Sequence, residues 1–462
     1  MDLGLFDAHQ LIHKGILALA RAERHGIRID MEYARNQEIE LTEKIDSMIL
    51  DLKRTKFYRH WEKSRGKSSL NIDSNYQLST FLYKIKKLTP LKTTPSGQGS
   101  TDEEALEALG IPELNDILRV RKLKKIRDTY LHSFLMEAVG GVLHPNFNLH
   151  TVSTYRSSSN NPNFQNIPIR DSAASNILRN CLYPSKGNQL LEVDYGALEV
   201  RIATCYHKDP TMIQYIKDPT SDMHGDMARQ IFKLDSFEKK NKSMKTLRNG
   251  AKNGFVFPQF YGDYYGNNVI GLSKWAELPL KGRYGMNNGL DLGGITVGEH
   301  LKQNGILSLK GFANHLKKIE EHFWNKRFPV YKRWKEEWWN DYQQKGYIEM
   351  LTGFRCSGIM GRNDCINYPV QGAAFHCLLW SFIALDDYVI KHNMRTKLIG
   401  QIHDSILFDV YPPELGDIKE LARKITCIEL PKAWPWIIVP LDISADLCGI
   451  DESWFTKEEI VI

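Results

Sequence analysis

The chain has 462 residues, enough for several compact units and a large buried core. Sixty-one Lys and Arg against 55 Asp and Glu leave a formal charge of +6, which suits a polyanionic partner without requiring one. With 42% hydrophobic and 25% charged residues the composition excludes a disordered tail, and its seven cysteines, lacking any CxxC pair, argue against a disulfide scaffold or a zinc site.

At the start, Met1-Asp2-Leu3-Gly4 lacks the basic and apolar regions of a signal peptide. No apolar run is expected to span a membrane, and a cytoplasmic setting fits the cysteine usage. Leu11, Ile12, Ile16, Leu17 and Leu19 fall at helical spacing, and Gly26 follows as a stop. A second, charged helix runs from about Glu32 to Lys53, then a polar, basic stretch to Ser69. Asn71-Ile72-Asp73-Ser74 reads as a helix cap, residues 87–103 as a loop, and Ser100-Thr101-Asp102-Glu103-Glu104 as a capping box. Arg119, Arg121, Lys122, Lys124, Lys125 and Arg127 cluster on one predicted helix, either for phosphate contact or as a solvated face.

Residues 151–170 have little apolar periodicity but many hydrogen-bonding side chains. Gln189 to Val193 reads as a strand ending in Asp194, with a helix after it. From Asp222 to Trp339 the pattern is helical at both ends, around a Gly- and Asn-rich interior at 262–297. Leu398–Ile402 and Ile406–Val410 read as two strands meeting at the tight turn His403-Asp404-Ser405. The class is α/β in the mixed, α+β sense, with helices outnumbering strands.

Two groupings could carry chemistry. Asp194 and Asp404 both end apolar strands, where a pair of carboxylates can bridge hard cations for phosphoryl transfer. Either can equally just terminate a strand, and only the fold can bring them together. Lys245, Arg248 and Lys252 lie on one helical face that runs into Phe255, Phe257, Phe260 and Tyr261. Such a face suits a nucleoside triphosphate, or else it is solvated surface joined to core aromatics. His224 and His403 lack the spacing of a zinc site.

Taken in order, these segments resemble the family A DNA polymerases, the group of bacterial DNA polymerase I and many phage replicases. Asp194-Tyr195-Gly196-Ala197-Leu198-Glu199-Val200-Arg201 is similar to motif A (DYSQIELR), Arg248, Lys252, Tyr261 and Gly262 to motif B, and His403-Asp404-Ser405 to motif C (HDE). Thr154-Tyr155-Arg156-Ser157-Ser158 with Pro162-Asn163-Phe164-Gln165-Asn166-Ile167-Pro168-Ile169-Arg170 resembles TGRLSS…PNLQNIPxR, Asp222-Met223-His224 resembles DIH, and Asn367-Tyr368-Pro369-Val370-Gln371-Gly372 resembles NAPMQG.

The resemblance implies a right-hand polymerase fold. It would have an N-terminal palm-edge helix (1–30), a thumb (31–144), a first palm part (145–205), fingers (206–345) and a second palm part (346–462). It implies addition of dNTPs to a primer 3′-hydroxyl on a template, with two Mg²⁺ ions held by Asp194, Asp404 and the Tyr195 carbonyl. Arg248, Lys252, His224, Phe257, Tyr261 and Tyr195 would bind the nucleotide, Lys252 would protonate pyrophosphate, and Glu199 would exclude a ribose 2′-hydroxyl. Arg156, Asn163, Gln165, Asn166, Arg170, Asn367, Gln371 and His403 would contact primer–template DNA.

The departures from the pattern are local. Motif B requires a one-residue insertion to bring Phe257 and Tyr261 into place, and Pro258 should then bend the helix. Ser405 replaces the motif C Glu, Ala197 replaces the motif A Gln, and residues 264–305 look like an insertion. Little chain precedes the Glu23–Asp30 segment, so this chain is expected to lack 3′–5′ proofreading unless a separate exonuclease supplies it, and a processivity factor could also bind. A phage source, acting in viral DNA replication in the host cytoplasm, matches these departures. A single-subunit RNA polymerase is disfavoured by Glu199 and the Gln165-Asn166-Ile167-Pro168 segment. A catalytically inactive, polymerase-like DNA-binding scaffold is disfavoured by the intact Asp194, Asp404, Arg248 and Lys252.

Overall fold

Five antiparallel strands form the central sheet, in the spatial order Glu458–Ile460, Ile443–Leu447, Gln189–Tyr195, Ser405–Val410, Lys397–Ile402. The computed structural model describes residues 3–66, 68–168, 171–238, 240–278 and 289–462. The middle strand is covered on both faces, and Leu190, Leu191, Val193 and Tyr195 are all buried. That explains why its sequence reads as a near-continuous apolar run rather than an alternation.

The 30-residue helix Arg362–Lys391 packs on the two strands of the terminal hairpin and on the helix Leu5–His25. Contrary to the expectation from sequence, it is long and apolar enough to cross a membrane. Its most apolar window is 72% buried inside the protein, which identifies it as a core helix. Leu5–His25 stops where predicted, at Gly26, whose φ of +64° and close approach to the Leu143 carbonyl leave no room for a Cβ.

A helical arm leaves the sheet through Met31–Arg54, capped by Asp30, whose Oδ1 accepts from the Glu32 and Tyr33 amides at 3.1 and 2.9 Å. The polar stretch after it is not a loop throughout. Lys56–Ser64 is a helix with Phe57, Tyr58 and Trp61 buried and Lys56, Arg59, His60 and Lys63 facing out. Trp61 stacks on Phe81 at 5.9 Å, giving the tip of the arm its own small core. Ser74 caps the next helix as predicted, and Asp102 alone caps Glu103–Glu107.

The second helical lobe contains Met223–Phe232, Lys242–Ala251, Tyr265–Ala276, Leu309–His322 and Pro329–Lys345. Its core is aromatic, with Phe255, Phe260, Phe323, Phe328 and Tyr331 in mutual edge or tilted contact. The helix that carries Arg248 does not simply bend at Pro258. It passes through a π-turn over Lys252–Val256, closed by the Phe257 amide donating to the Lys252 carbonyl, and resumes at Phe257–Phe260. A π-turn absorbs one extra residue, and here it stands directly before the proline that cannot donate. Gly250 and Gly254 let Tyr265–Ala276 lie close, because Cβ atoms there would meet Trp275 at 3.1 Å and Leu272 at 2.7 Å. The described parts of segment 264–305 are therefore built into the lobe, with Leu272, Val297 and Leu301 fully buried.

Candidate functional site

Register brings the two strand-end carboxylates together. Ser405 pairs with Asp194, and the Tyr195 amide donates to the Asp404 carbonyl at 3.1 Å. The turn before Ser405 is tight, with His403 at φ +51°, so Asp404 emerges beside Asp194 although it lies 210 positions later in the chain. Burial pushes the Asp404 carboxyl up to about 7, helped by the charges of Glu199 and Asp194 and opposed by Arg156. Burial and the charge of Glu192 push Asp194, whose outer edge still meets solvent, up to about 6. The only ion pair of Asp404 among the described residues is to Arg156, at 3.9 Å.

This weakened acidity has a consequence for stability. Folded Asp404 holds its proton more tightly than the unfolded chain, whose Asp ionises near 3.8. The resulting cost is absent below that value, grows up to about pH 7, and is fully present above it. Asp404→Asn should therefore raise the melting temperature of metal-free protein by a few degrees at about pH 8, and by less at about pH 5. Calorimetry at the two pH values checks this, and a lower melting temperature at the higher pH would contradict it.

Two neighbouring carboxylates, Asp404 half-buried and Asp194 open to solvent, form an oxygen donor set that fits Mg²⁺. Among the described residues no group of three or more His, Cys, Asp or Glu forms a metal cage. An ion held by this pair would take few ligands from these side chains, which suits one that keeps waters or shares phosphate oxygens. The Tyr195 side chain turns into the core, its hydroxyl 2.7 Å from Ser381 Oγ, so only its backbone reaches the site.

Glu199 occupies the first turn of Leu198–His207. One carboxylate oxygen lies 2.5 Å from Arg156, and the other accepts the Tyr261 hydroxyl. Asn367 donates to the Tyr261 carbonyl at 3.2 Å. Burial and the Glu199 charge push the Tyr261 hydroxyl far up, so it remains a donor. A cavity of about 400 Å³ opens among Glu199, Phe257, Tyr261, Asn367, His403 and Asp404.

The cationic helix faces this cavity through Phe257. The Phe257 ring meets His224 edge-on at 5.7 Å and lies 5.1 Å from Lys252 Nζ. Of the residues an uninterrupted helix would present, Val256 is buried in the lobe, and Phe260 packs in its aromatic core while also bordering the cavity. Arg248 Nε donates to both oxygens of Asp222, at 2.8 and 3.0 Å, and Asp222 also caps Met223–Phe232 through the Gly225 amide. Sequence reading passed over that partner, although an Asp before a helical run is a cap signal. Burial and the Arg248 and Lys252 charges push His224 down to about 4, leaving it neutral near pH 7. Its buried Nδ1 has no hydrogen-bond partner among the described residues.

The predicted nucleic-acid contacts are more dispersed. Arg156 is at the carboxylates, and Gln165 donates to Ser157 at 2.7 Å, with Gln401 on the same hydroxyl. Asn163 and Asn166 line a cleft with Lys125 and Tyr130, and the Asn166 carbonyl accepts the Tyr130 hydroxyl at 2.7 Å. Asn367 and Gln371 share a face of Arg362–Lys391, and His403 is exposed. Arg170 lies outside the described residues. Much of the basic cluster at 119–127 is paired within the protein: Lys122 with Asp171 at 2.5 Å, Lys124 with Asp73 at 2.6 Å and Arg127 with Asp128 at 2.7 Å.

Comparison with known proteins places this geometry. Residues 39–281, more than half of the chain, match the family described as DNA polymerase family A. The chain is 27% identical over 424 residues to DNA polymerase I of Lactococcus lactis subsp. cremoris, covering 88% of this chain and 42% of that protein. It is 27% identical over 411 residues to DNA polymerase I of Aquifex aeolicus, covering 88% and 61%, respectively. The thermostable DNA polymerase I of Thermus thermophilus is 25% identical over 456 residues, covering 95% of this chain and 47% of the relative. The chain thus spans about half the length of the relatives it matches. The POL domain of Pol1 from M. smegmatis, solved with DNA primer-template and dNTP, superposes with a TM-score of 0.73 at 22% identity, over 96% of this chain and 70% of that one. That likeness gives the fold as the palm, thumb and fingers of a polymerase domain, and with the family match it follows that the chain belongs to DNA polymerase family A.

Proposed function

We propose that the chain catalyses template-directed addition of deoxynucleotides from dNTPs to a primer 3′-hydroxyl. The observation that carries this reading is that Asp404, which the sheet register sets beside Asp194, lines a cavity also lined by Phe257, whose ring meets His224 and lies near Lys252. In domain terms, residues 1–30 form the palm edge, 31–144 the thumb, 145–205 and 346–462 the palm, and 206–345 the fingers.

In this reading Arg248 and Lys252 neutralise the triphosphate, and Asp222 orients the Arg248 guanidinium through Nε. Neutral His224 offers its unpartnered Nδ1 as a donor to a phosphate oxygen. Phe257 gives the incoming base a ring to pack against, and Tyr261 closes the cavity while held by Glu199. Asp194 and Asp404, with the Tyr195 backbone, would hold two Mg²⁺ ions. Bound there, the metal supplies charge stabilisation to the attacking and leaving oxygens of the displacement. The primer brings the nucleophile, so the protein's own work is positioning and charge neutralisation. Arg156, Asn163, Gln165, Asn166, Arg170, Asn367, Gln371 and His403 contact the primer–template.

Extension of a labelled primer with Mg²⁺ and the four dNTPs tests the reading. A ladder that follows the template supports it, whereas binding of primer–template without extension would leave a DNA-clinging protein. Lys252 makes a narrower test. Lys252→Leu should slow single-turnover extension at saturating dNTP about a hundredfold, the range for loss of a positioned general acid. An unaltered single-turnover rate would remove Lys252 from the proton-donor role.

A further inference from the structure

The paired register of the two carboxylate strands ends at Ser405–Asp194, and just beyond it the turn carrying Asp404 is held by one backbone bond, from the Tyr195 amide to the Asp404 carbonyl. Ser405 is buried, and its Oγ lies 3.2 Å from Glu192 Oε1 and 3.0 Å from the Ile402 carbonyl, which share its single proton. Glu192 sits two residues before Asp194, on the same face of the strand. Its other oxygen accepts from Trp454 Nε1 at 3.0 Å and Lys457 Nζ at 2.7 Å, and Lys457 also pairs with Asp446 at 2.6 Å. Arg179 covers the group, stacked on Trp454 at 3.9 Å. A buried carboxylate held by three donors is costly to remove and fixed in place, so it constrains whatever it touches.

We propose that Glu192 is a positioning residue for the carboxylate pair. It ties the Asp404 turn to the Asp194 strand through Ser405, and Trp454 and Lys457 brace it from the C-terminal segment. A metal ion needs its oxygen ligands at fixed separation, and a partner that orients them governs affinity without touching the ion. In the sequence, position 405 has only a hydroxyl where the polymerase resemblance leads one to expect a carboxylate. The acid nearest that hydroxyl comes instead from the neighbouring strand. This inference rests on the polymerase reading.

The test is Mn²⁺ affinity, read from loss of the free-ion electron paramagnetic resonance signal, with a dideoxy-terminated primer–template and the matched dNTP bound. Ser405→Ala should weaken Mn²⁺ binding about tenfold, the lower range for loss of an outer partner, while the melting temperature stays within a few degrees. Glu192→Gln should weaken it in the same direction, and the double variant should be no worse than the weaker single one, because both remove one link. If Glu192→Gln does not fold, Ser405→Ala alone decides. Unchanged Mn²⁺ affinity in Ser405→Ala, or multiplying effects in the double variant, would overturn the inference. Primer extension by the unmodified chain separates the two levels. Its absence would sink the polymerase reading and this inference with it, whereas extension with an indifferent Ser405→Ala would sink the inference alone.

Discussion

Asp404→Ala should bind primer–template within about twofold of the unmodified chain and yet lose extension by a thousandfold or more, on the order of what removal of a transition-state charge stabiliser costs. The separation of the two effects follows from where the residue stands. Asp404 lies at the tip of a hairpin whose strands pair with each other, save for a bulge at Leu407–Phe408, and with the Gln189–Tyr195 strand, so removing its side chain leaves the sheet intact. Apart from His403 in the same turn, the groups assigned to DNA come from other elements, among them the Arg362–Lys391 helix and the segment around Asn163. Burial and charge repulsion already make the ionised carboxylate costly, so its loss should not destabilise the protein. Fluorescence anisotropy for binding and rapid quench for extension give the two numbers. Extension above a few per cent of the unmodified rate would refute the assignment of Asp404.

Glu199→Ala should admit ribonucleotides, lowering discrimination against rNTPs by about ten- to a hundredfold, the span that small steric differences in a pocket produce. Glu199 projects into the cavity and is held from both sides, by Arg156 and by the Tyr261 hydroxyl. A side chain tethered at both oxygens cannot swing aside for an added hydroxyl, which makes it a stiffer obstacle than a free glutamate. The same tethers predict a second effect. Alanine would release Tyr261 and leave Arg156 without its closest partner, so incorporation of dNTPs should slow as well. Single-nucleotide incorporation with each rNTP and dNTP measures both. Unchanged selectivity would contradict the gating role.

Much of this site could be read from the sequence, and the reasons differ from residue to residue. The Gln189–Tyr195 strand, the terminal hairpin and the stop at Gly26 were evident because each rests on a local signal: an apolar run, a polar turn, a glycine at positive φ. The meeting of Asp194 and Asp404 was not evident from spacing, since strand register is a long-range property. Resemblance to a known pattern suggested it where periodicity could not. The π-turn at Lys252–Val256 is not legible in the sequence because an inserted residue and a proline each predict a break, whereas the chain passes through a wider turn and resumes as helix at Phe257–Phe260. The helix Lys56–Ser64 was hidden by its outward charges, which mask three buried aromatics at helical spacing. The basic run at 119–127 leaves phosphate contact and a solvated face both open in the sequence, because the partners of Lys124 and Lys122, Asp73 and Asp171, lie on distant segments.

Ser405 shows a further limit. Read alone, it is a missing carboxylate, and nothing in the linear chain connects it with Glu192, 213 positions earlier. Only the pairing of the two strands puts that acid beside it. Buried polar clusters of this kind are assembled by topology, so they are the features a sequence conceals best.

The most direct measurement is anomalous diffraction from crystals of the chain with primer–template, matched dNTP and Mn²⁺. Manganese should lie within about 2.2 Å of oxygens from both Asp194 and Asp404, with the nucleotide phosphates completing its shell and Arg248 and Lys252 on their far side. Manganese absent from the space between those two side chains, or a triphosphate bound away from the Lys242–Ala251 helix, would contradict the account.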